Sequence, residues 1–147
     1  MNLKIRRLRP GAHIPGRATA GSAGVDLRAC CAEEGLTVAP MERVLVPTGL
    51  ALELPGPNTV GLVFARSGLA LKAGLTMANG VGVIDSDYRG ELQVPMVNLS
   101  DKPVYVANGE RVAQLVVMPV EVPDMIEFDS LSETERGAGG FGSTGVE

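Results

Sequence analysis

A chain of 147 residues, 45% of them hydrophobic, is long enough to bury one hydrophobic core, which excludes an intrinsically disordered protein. Its net charge of -4 excludes a general attraction to nucleic acid or to an anionic membrane, so neither is predicted as a partner. The single histidine, His13, excludes a histidine-rich metal site and favours carboxylates as the acid–base groups of any reaction.

The N-terminal stretch MNLKIRRLRP is basic but lacks the apolar segment of a secretory signal. Its composition is loosely similar to that of an organellar transit peptide, whereas Leu3, Ile5 and Leu8 better fit a short β-strand. No apolar stretch is long enough to span a bilayer. Cys30 and Cys31 are adjacent, which is poor geometry for a disulfide and gives no zinc spacing. We therefore expect a cytoplasmic protein with reduced thiols.

Short apolar runs broken by turn residues dominate the rest of the chain, and no helical periodicity is sustained for about twelve residues. β-Strands are predicted within residues 43–54, 58–64, 91–99 and 102–120. In the last range, Asn108-Gly109 predicts a hairpin turn between two strands. Only residues 67–74 suit a short helix. The pattern predicts an all-β fold of the sandwich, jelly-roll or barrel type.

The strand predicted over residues 111–118 has apolar residues on both faces. These are Val112, Val116 and Met118 on one face, and Ala113, Leu115 and Val117 on the other. Burial against other subunits would cover both faces and predicts an oligomer. A central position within one sandwich explains the pattern equally well.

The composition changes after Glu127, and the chain ends in SLSETERGAGGFGSTGVE. A segment so rich in glycine cannot fold alone, and a disordered tail is one interpretation. However, Arg136, Phe141, Ser143 and Thr144, beside bare backbone amides, can grip a phosphate and stack on a flat ring. We therefore divide the chain into a β domain of residues 1–130 and a flexible arm of residues 131–147.

Two polar clusters interrupt the β pattern in the first half of the chain. SAGVDLRA (22–29) places Asp26 between apolar residues, where its carboxylate either caps a turn or faces a site. ARSGLALK (65–72) offers Arg66, Ser67 and the amide of Gly68 in succession. At a strand-to-helix junction these groups would converge on an anion. Taken alone, Arg66 suits a surface residue and Ser67 a helix cap.

Two more clusters follow in the second half. GVIDSDYRGEL (82–92) places Tyr88, one of only two tyrosines, between charged residues and close to Asp85. GERVAQLVV (109–117) places Gln114 in an otherwise apolar strand. A buried amide needs hydrogen-bond partners, so Gln114 is either a structural hydrogen-bonding residue or a ligand contact.

In their order and spacing, five stretches resemble the motifs of the trimeric dUTPases, the deoxyuridine triphosphate nucleotidohydrolases. They are AGVDLRA, RSGLALK, GVIDSDYRGEL, GERVAQLVV and RGAGGFGSTG, and the likeness extends from about Leu3 to Gly145. Two departures are Ala65, where proline is usual, and Arg17, where tyrosine is common. The resemblance implies a homotrimeric, β-clip-like jelly roll that uses Mg²⁺ to cleave dUTP to dUMP and pyrophosphate. That reaction limits uracil incorporation into DNA and supplies dUMP for dTMP synthesis.

The resemblance also implies roles for individual residues. Asp85 would be the general base that activates water for attack on the α-phosphate, and Asp26 would hold the Mg²⁺ through a water molecule. Tyr88 would pack beneath the deoxyribose and exclude a 2′-hydroxyl. The remaining substrate contacts would be Asn79, Gly82 and Val83 at the base, Arg66, Ser67, Gly68 and Gln114 at the phosphates, and Arg136, Phe141, Gly142, Ser143 and Thr144 from the arm. Each site would draw on three subunits.

Three alternatives remain. The related dCTP deaminases share the fold, but IDSDYRG and the tail GGFGSTG argue against that family, which typically has a Pro-Gly-Trp-like turn after its aspartate. A non-catalytic nucleotide-binding regulator is opposed by the presence of Asp26, Asp85, Tyr88 and the complete tail. A purely structural β-sandwich would require five coincidences.

Overall fold

The computed structural model describes residues 2–140, and within them the chain forms ten β-strands and one short helix. The elements are β1 (Lys4–Arg7), β2 (Val25–Arg28), β3 (Leu36–Val38), β4 (Arg43–Glu53), β5 (Thr59–Ala65), α1 (Ser67–Ala73), β6 (Leu75–Met77), β7 (Gly82–Ile84), β8 (Glu91–Asn98), β9 (Val104–Val106) and β10 (Arg111–Pro119). The predicted all-β class and the short helix are confirmed.

The strands form two four-stranded antiparallel sheets and a small ribbon. The first sheet has the order β1-β4-β8-β6, the second sheet has the order β2-β10-β5-β7, and β3 pairs with β9. Alternate residues of both sheets contribute to one core, which includes Leu27, Val46, Val63, Val94 and Leu115. Two antiparallel sheets around a shared core agree with the predicted jelly roll.

Strand β10 lies in the middle of the second sheet, hydrogen bonded to β2 on one side and to β5 on the other. Val112, Ala113 and Leu115 are buried within the single chain. Toward the end of the strand the side chains are less buried, and Met118 is 44% exposed. The central-strand interpretation therefore accounts for the first half of this doubly apolar strand without a partner subunit.

The hairpin predicted at Asn108-Gly109 is wrong, because β9 pairs with β3 whereas β10 pairs with β2 and β5. A turn does form there, with the Glu110 N–H donating to the Ala107 carbonyl at 3.1 Å. Gly109 has a φ of +79°, but Asn108 is not in the positive-φ region. A type I′ hairpin turn needs positive φ at both central residues. This turn instead carries the chain from the ribbon into the second sheet.

After β10 the chain leaves both sheets. Residues 120–138 are exposed and form neither strand nor helix. Within residues 2–140, no helix has the length and hydrophobicity needed to cross a membrane.

Candidate active site

The first group of predicted site residues lies on the turn that follows β7. This strand is at an edge of the second sheet, and Asp85 comes directly after its last residue, Ile84. The Asp85 carbonyl accepts the Tyr88 N–H at 3.2 Å, which closes a turn over residues 85–88. The Asp85 side chain is exposed. A carboxylate in this position can accept a proton from a water molecule that approaches from solvent.

The Tyr88 ring is held by the residues that follow it. Its hydroxyl donates to the main-chain carbonyl of Glu91 at 2.9 Å. A Cβ on Gly90 would lie 2.4 Å from the phenol oxygen, so any other residue at this position would displace the ring. Arg89 supports the turn through hydrogen bonds from Nη1 to the carbonyls of Ser86, at 2.8 Å, and Tyr88, at 2.9 Å.

A cavity of about 320 Å³ lies beside this turn. Asn79, Gly82, Val83, Asp85 and Tyr88 all line it, together with apolar side chains that include Leu45, Met77 and Pro95. Its volume is at the lower end of the range for small-molecule sites. An apolar pocket with two amides, two carboxylates and one phenol at its edge suits a flat polar ring joined to a sugar; these groups belong to Asn79, Gln93, Asp85, Glu91 and Tyr88. We call this pocket the turn cavity.

The second group surrounds Asp26, a residue of β2. Its carboxylate accepts a hydrogen bond from Arg66 Nε at 2.8 Å and another from Arg111 Nη1 at 3.2 Å. Gln114 lies opposite Asp26 in the β2–β10 ladder and donates from Nε2 to the Ala65 carbonyl at 3.0 Å. We call Asp26, Arg66, Arg111 and Gln114 the Asp26 cluster. Two guanidinium groups around one carboxylate leave a net positive charge, which suits an anionic ligand.

Ser67 and Gly68 begin α1, next to this cluster. Arg66 is the N-cap residue of the helix, and no side chain caps it, so the interpretation of Ser67 as a helix cap is wrong. Both Ser67 and Gly68 are exposed. The hydroxyl and the first amides of α1 are therefore available to a ligand, because the first N–H groups of a helix have no partner within it.

Two open cavities adjoin the Asp26 cluster. One, of about 330 Å³, is lined by Asp26 and Gln114 together with Ser22 and the loop that precedes it. The other, of about 370 Å³, is lined by Arg66, Gly68, Lys72 and Arg111, among others. Neither includes a residue of the turn cavity.

Strand order and register place the two groups far apart in one protomer. Asp26 and Asp85 lie at opposite edges of the second sheet, three strand spacings or about 14 Å apart. Gln114 of β10 is paired with Asp26 of β2 on one side and with Phe64 of β5 on the other, so these residues lie at the same level along the strands. At the other edge of the sheet, Ile84 of β7 is paired with Gly61 of β5. Asp85 follows Ile84 by one residue, so the offset is about four residues or 13 Å, and the main chains at Asp26 and Asp85 are about 20 Å apart.

A metal site of the usual multi-carboxylate type is not present in residues 2–140, which hold no group of three or more His, Cys, Asp or Glu side chains suited to an ion. Asp26 offers one carboxylate, and its two oxygens face arginines. These donors fit Mg²⁺ only if most of its oxygen ligands come from phosphates and water, as is common for this ion.

The arm residues are the least described part of the predicted site. Arg136 is exposed, and its carbonyl accepts the Gly139 N–H at 3.1 Å. Phe141, Gly142, Ser143 and Thr144 lie outside the described residues, so their predicted roles stay predictions.

Sequence reasoning missed one contact at the base of the turn. The guanidinium of Arg9 forms a bidentate ion pair with the Glu91 carboxylate. Glu91 stands inside the third motif, but Arg9 precedes it by 82 positions, and no local pattern joins the two.

A profile of the dUTPase family matches residues 11–145. The deoxyuridine 5'-triphosphate nucleotidohydrolase of Desulfitobacterium hafniense is 55% identical over 133 residues, which cover 90% of this chain and 87% of that protein. The same enzyme of a Hydrogenobaculum species is 48% identical over 147 residues and is covered in full. A solved structure of the Staphylococcus bacteriophage 80alpha dUTPase with dUPNHPP is 28% identical, covers 99% of each chain and superposes with a TM-score of 0.89. The family indicated by the five motifs is thereby confirmed: this chain belongs to the dUTPase family.

Proposed function

We propose that the protein hydrolyses dUTP to dUMP and pyrophosphate, in sites that combine residues of more than one subunit of a homotrimer. The observation that carries the proposal is the turn after β7, which presents an exposed carboxylate and a fixed phenol ring at the edge of one cavity. Both named relatives are deoxyuridine 5'-triphosphate nucleotidohydrolases, and the phage enzyme was solved with dUPNHPP.

In this proposal Asp85 acts as the general base. It accepts a proton from a water molecule whose oxygen attacks the α-phosphorus of dUTP. The bond between that phosphorus and the oxygen that bridges to the β-phosphate breaks, and pyrophosphate leaves with the electron pair. Phosphoryl-type displacement depends on positioning and charge neutralisation rather than on a covalent nucleophile, so one exposed carboxylate suffices.

The Asp26 cluster would bind the triphosphate. Ser67, Gly68 and Gln114 would hold the α- and β-phosphates, with Arg66 beside them. Bound Mg²⁺ would neutralise charge on the phosphate oxygens. Asp26 would hold the ion through a water molecule, and the ion pairs with Arg66 and Arg111 orient its carboxylate for that contact.

The turn cavity would select the nucleoside. Asn79 and the backbone of Gly82 and Val83 would read the uracil edge, and a donor at C4 of cytosine would meet another donor. The close fit of the strand would leave no room for the 5-methyl group of thymine. Tyr88 would pack beneath the deoxyribose and exclude a 2′-hydroxyl.

The arm of residues 131–147 would complete the site. Arg136, Ser143 and Thr144 would close over the terminal phosphates with Gly142 beside them, while Phe141 stacks on the base. Ordering about ten residues opposes binding by roughly 1–2 kcal/mol each before new contacts compensate, so the arm would close only on the correct ligand.

The separation of about 20 Å between Asp26 and Asp85 supports a shared site. A triphosphate bound at the Asp26 cluster of one subunit cannot also place its α-phosphorus beside Asp85 of the same subunit. In a closed ring of three subunits, the turn of one chain can face the Asp26 cluster of the next.

The test is a pyrophosphate-release assay with dUTP, dTTP, dCTP and UTP, each with and without Mg²⁺. We expect pyrophosphate release from dUTP but from none of the other three nucleotides, and only when Mg²⁺ is present. Ammonia release from dCTP would instead identify a deaminase. Tight binding of dUTP without pyrophosphate release would identify a nucleotide-binding regulator.

A further inference from the structure

An ion pair lies at the base of the turn that carries Asp85 and Tyr88. Its Glu91 also lines the turn cavity, whereas its Arg9 does not. The Arg9 guanidinium donates from Nη1 to Glu91 Oε2 at 3.2 Å and from Nη2 to Glu91 Oε1. Glu91 is 20% exposed and Arg9 is 39% exposed, so the pair is partly shielded from water. The hydrogen bond to Glu91 raises the pKa of Arg9, whose guanidinium is charged at any physiological pH. Bidentate pairs of this kind fix orientation as well as distance.

The same carboxylate anchors the neighbouring strand. Glu91 Oε1 accepts the N–H of Gly49 at 2.8 Å. Gly49 lies where the β4–β8 register shifts and has a φ of +69°. Its carbonyl accepts a hydrogen bond from the Leu8 N–H at 2.8 Å. A Cβ on Gly49 would lie 2.8 Å from Ala12 Cβ, so the bulge is packed tightly against the core. Glu91 therefore connects the end of the turn to a tightly packed part of the first sheet.

Tyr88 depends on the position of Glu91. The phenol hydroxyl donates to the main-chain carbonyl of Glu91, and the ring lies over Gly90. On the other side of Glu91, the Leu92 carbonyl accepts the hydroxyl of the buried Thr48 at 2.5 Å. The main chain at residues 90–92 therefore fixes the ring, and the Glu91 side chain fixes that main chain against Gly49 and Arg9.

We propose that Glu91 and Arg9 are positioning residues. They fix the position of the Tyr88 ring in the wall of the turn cavity and thereby the discrimination between deoxyribonucleotides and ribonucleotides. The inference rests on the proposed function. If the ring gauges the sugar, a displacement of about 1 Å admits a 2′-hydroxyl, and errors of this size change rates by up to about 100-fold. Asp85 lies at the other end of the turn, directly after Ile84, which is paired with Gly61 in the second sheet, so hydrolysis of dUTP persists.

The experiment measures kcat and KM for dUTP and for UTP in four variants. Glu91→Ala removes the anchor, Arg9→Met removes its partner, and Glu91→Gln keeps an acceptor for both Gly49 and Arg9. Lys4→Met is the matched control, because it removes a cation from the exposed Lys4–Glu53 pair, which joins β1 to β4.

We expect the ratio of kcat/KM for dUTP over UTP to fall about tenfold or more in Glu91→Ala and in Arg9→Met, mainly because UTP turnover rises. In Arg9→Met, which leaves the lining of the turn cavity intact, turnover of dUTP stays within about threefold of the wild type. Glu91→Gln regains most of the ratio, and Lys4→Met leaves it unchanged. A purely structural defect would instead lower both activities together.

The inference is overturned if Arg9→Met keeps the ratio within about twofold of the wild type, whatever the result for Glu91→Ala, because only Arg9 lies outside the lining of the turn cavity. Should Glu91→Ala fail to fold, Arg9→Met decides alone, because Arg9 is the more exposed partner. Absence of dUTP hydrolysis in the wild type would contradict the proposed function itself, which distinguishes the two failures.

Discussion

Mixed trimers offer a sharp test of the shared site. The perturbation is a pair of variants, Asp85→Asn and Asp26→Ala. Each removes one carboxylate, and the main chains of the two residues lie about 20 Å apart in the same protomer. Each variant alone should be nearly inactive. When the two are refolded or expressed together, some sites receive an intact Asp85 from one subunit and an intact Asp26 from its neighbour.

The expected recovery follows from counting. At equal amounts and random assembly, each of the two carboxylates is intact with a probability of one half, so about one quarter of the sites are complete. If each site belonged to one subunit, no mixture could contain an intact site, because every subunit lacks one carboxylate.

Pyrophosphate release at saturating dUTP and Mg²⁺ measures the recovery, and different affinity tags on the two variants verify that mixed trimers form. Each variant refolded with itself is the control. The reasoning would be refuted if tagged mixed trimers were isolated and their turnover did not exceed the mean of the two parents.

Three other predictions concern the arm, the core and the metal. Deletion of residues 136–147 should leave a folded trimer by size-exclusion chromatography but lower turnover by about 100-fold, and full activity would refute the role of the arm. Asn98→Ala should lower the free energy of unfolding, measured in urea, by about 3 kcal/mol, because the buried amide donates to the carbonyls of Val38 and Lys102 and accepts the Ser100 N–H. Asn58 is exposed, so the control Asn58→Ala should change this free energy by less than about 0.5 kcal/mol. Asp26→Asn should raise the Mg²⁺ concentration needed for half-maximal turnover by about 10–100-fold, and an unchanged requirement would contradict a contact to the ion.

The strands that could be predicted from the sequence are those in which apolar residues recur at alternate positions over several residues. Strands β4, β5 and β8 lie within about one or two residues of their predicted ranges, because one face of each packs into the core. Strands β3, β6 and β7 have only three residues each, and no period can be recognised in so short a segment.

Pairing was harder to predict than strand position. Asn108-Gly109 indicates a turn correctly, but a local signal does not specify the partner of the following strand, and β10 pairs with β2 and β5. The separation of Asp26 from Asp85 likewise follows only from strand order and register.

The site residues were predicted from motifs, whereas their supports were not. The five stretches contain every predicted residue except Asn79, but the ion pairs of Asp26 with Arg66 and of Glu91 with Arg9 join residues 40 and 82 positions apart. Contacts at such separations are created by the sheets, and a single sequence holds no pattern for them.

The central claim is that Asp85 activates the attacking water, and the most direct measurement is pyrophosphate release from dUTP by Asp85→Asn. The substitution removes the negative charge but keeps the size of the side chain. We expect the variant to bind dUTP as the wild type does and to lose turnover by about 100- to 10,000-fold, the usual contribution of a general base. Turnover at the wild-type rate in this variant would contradict the account.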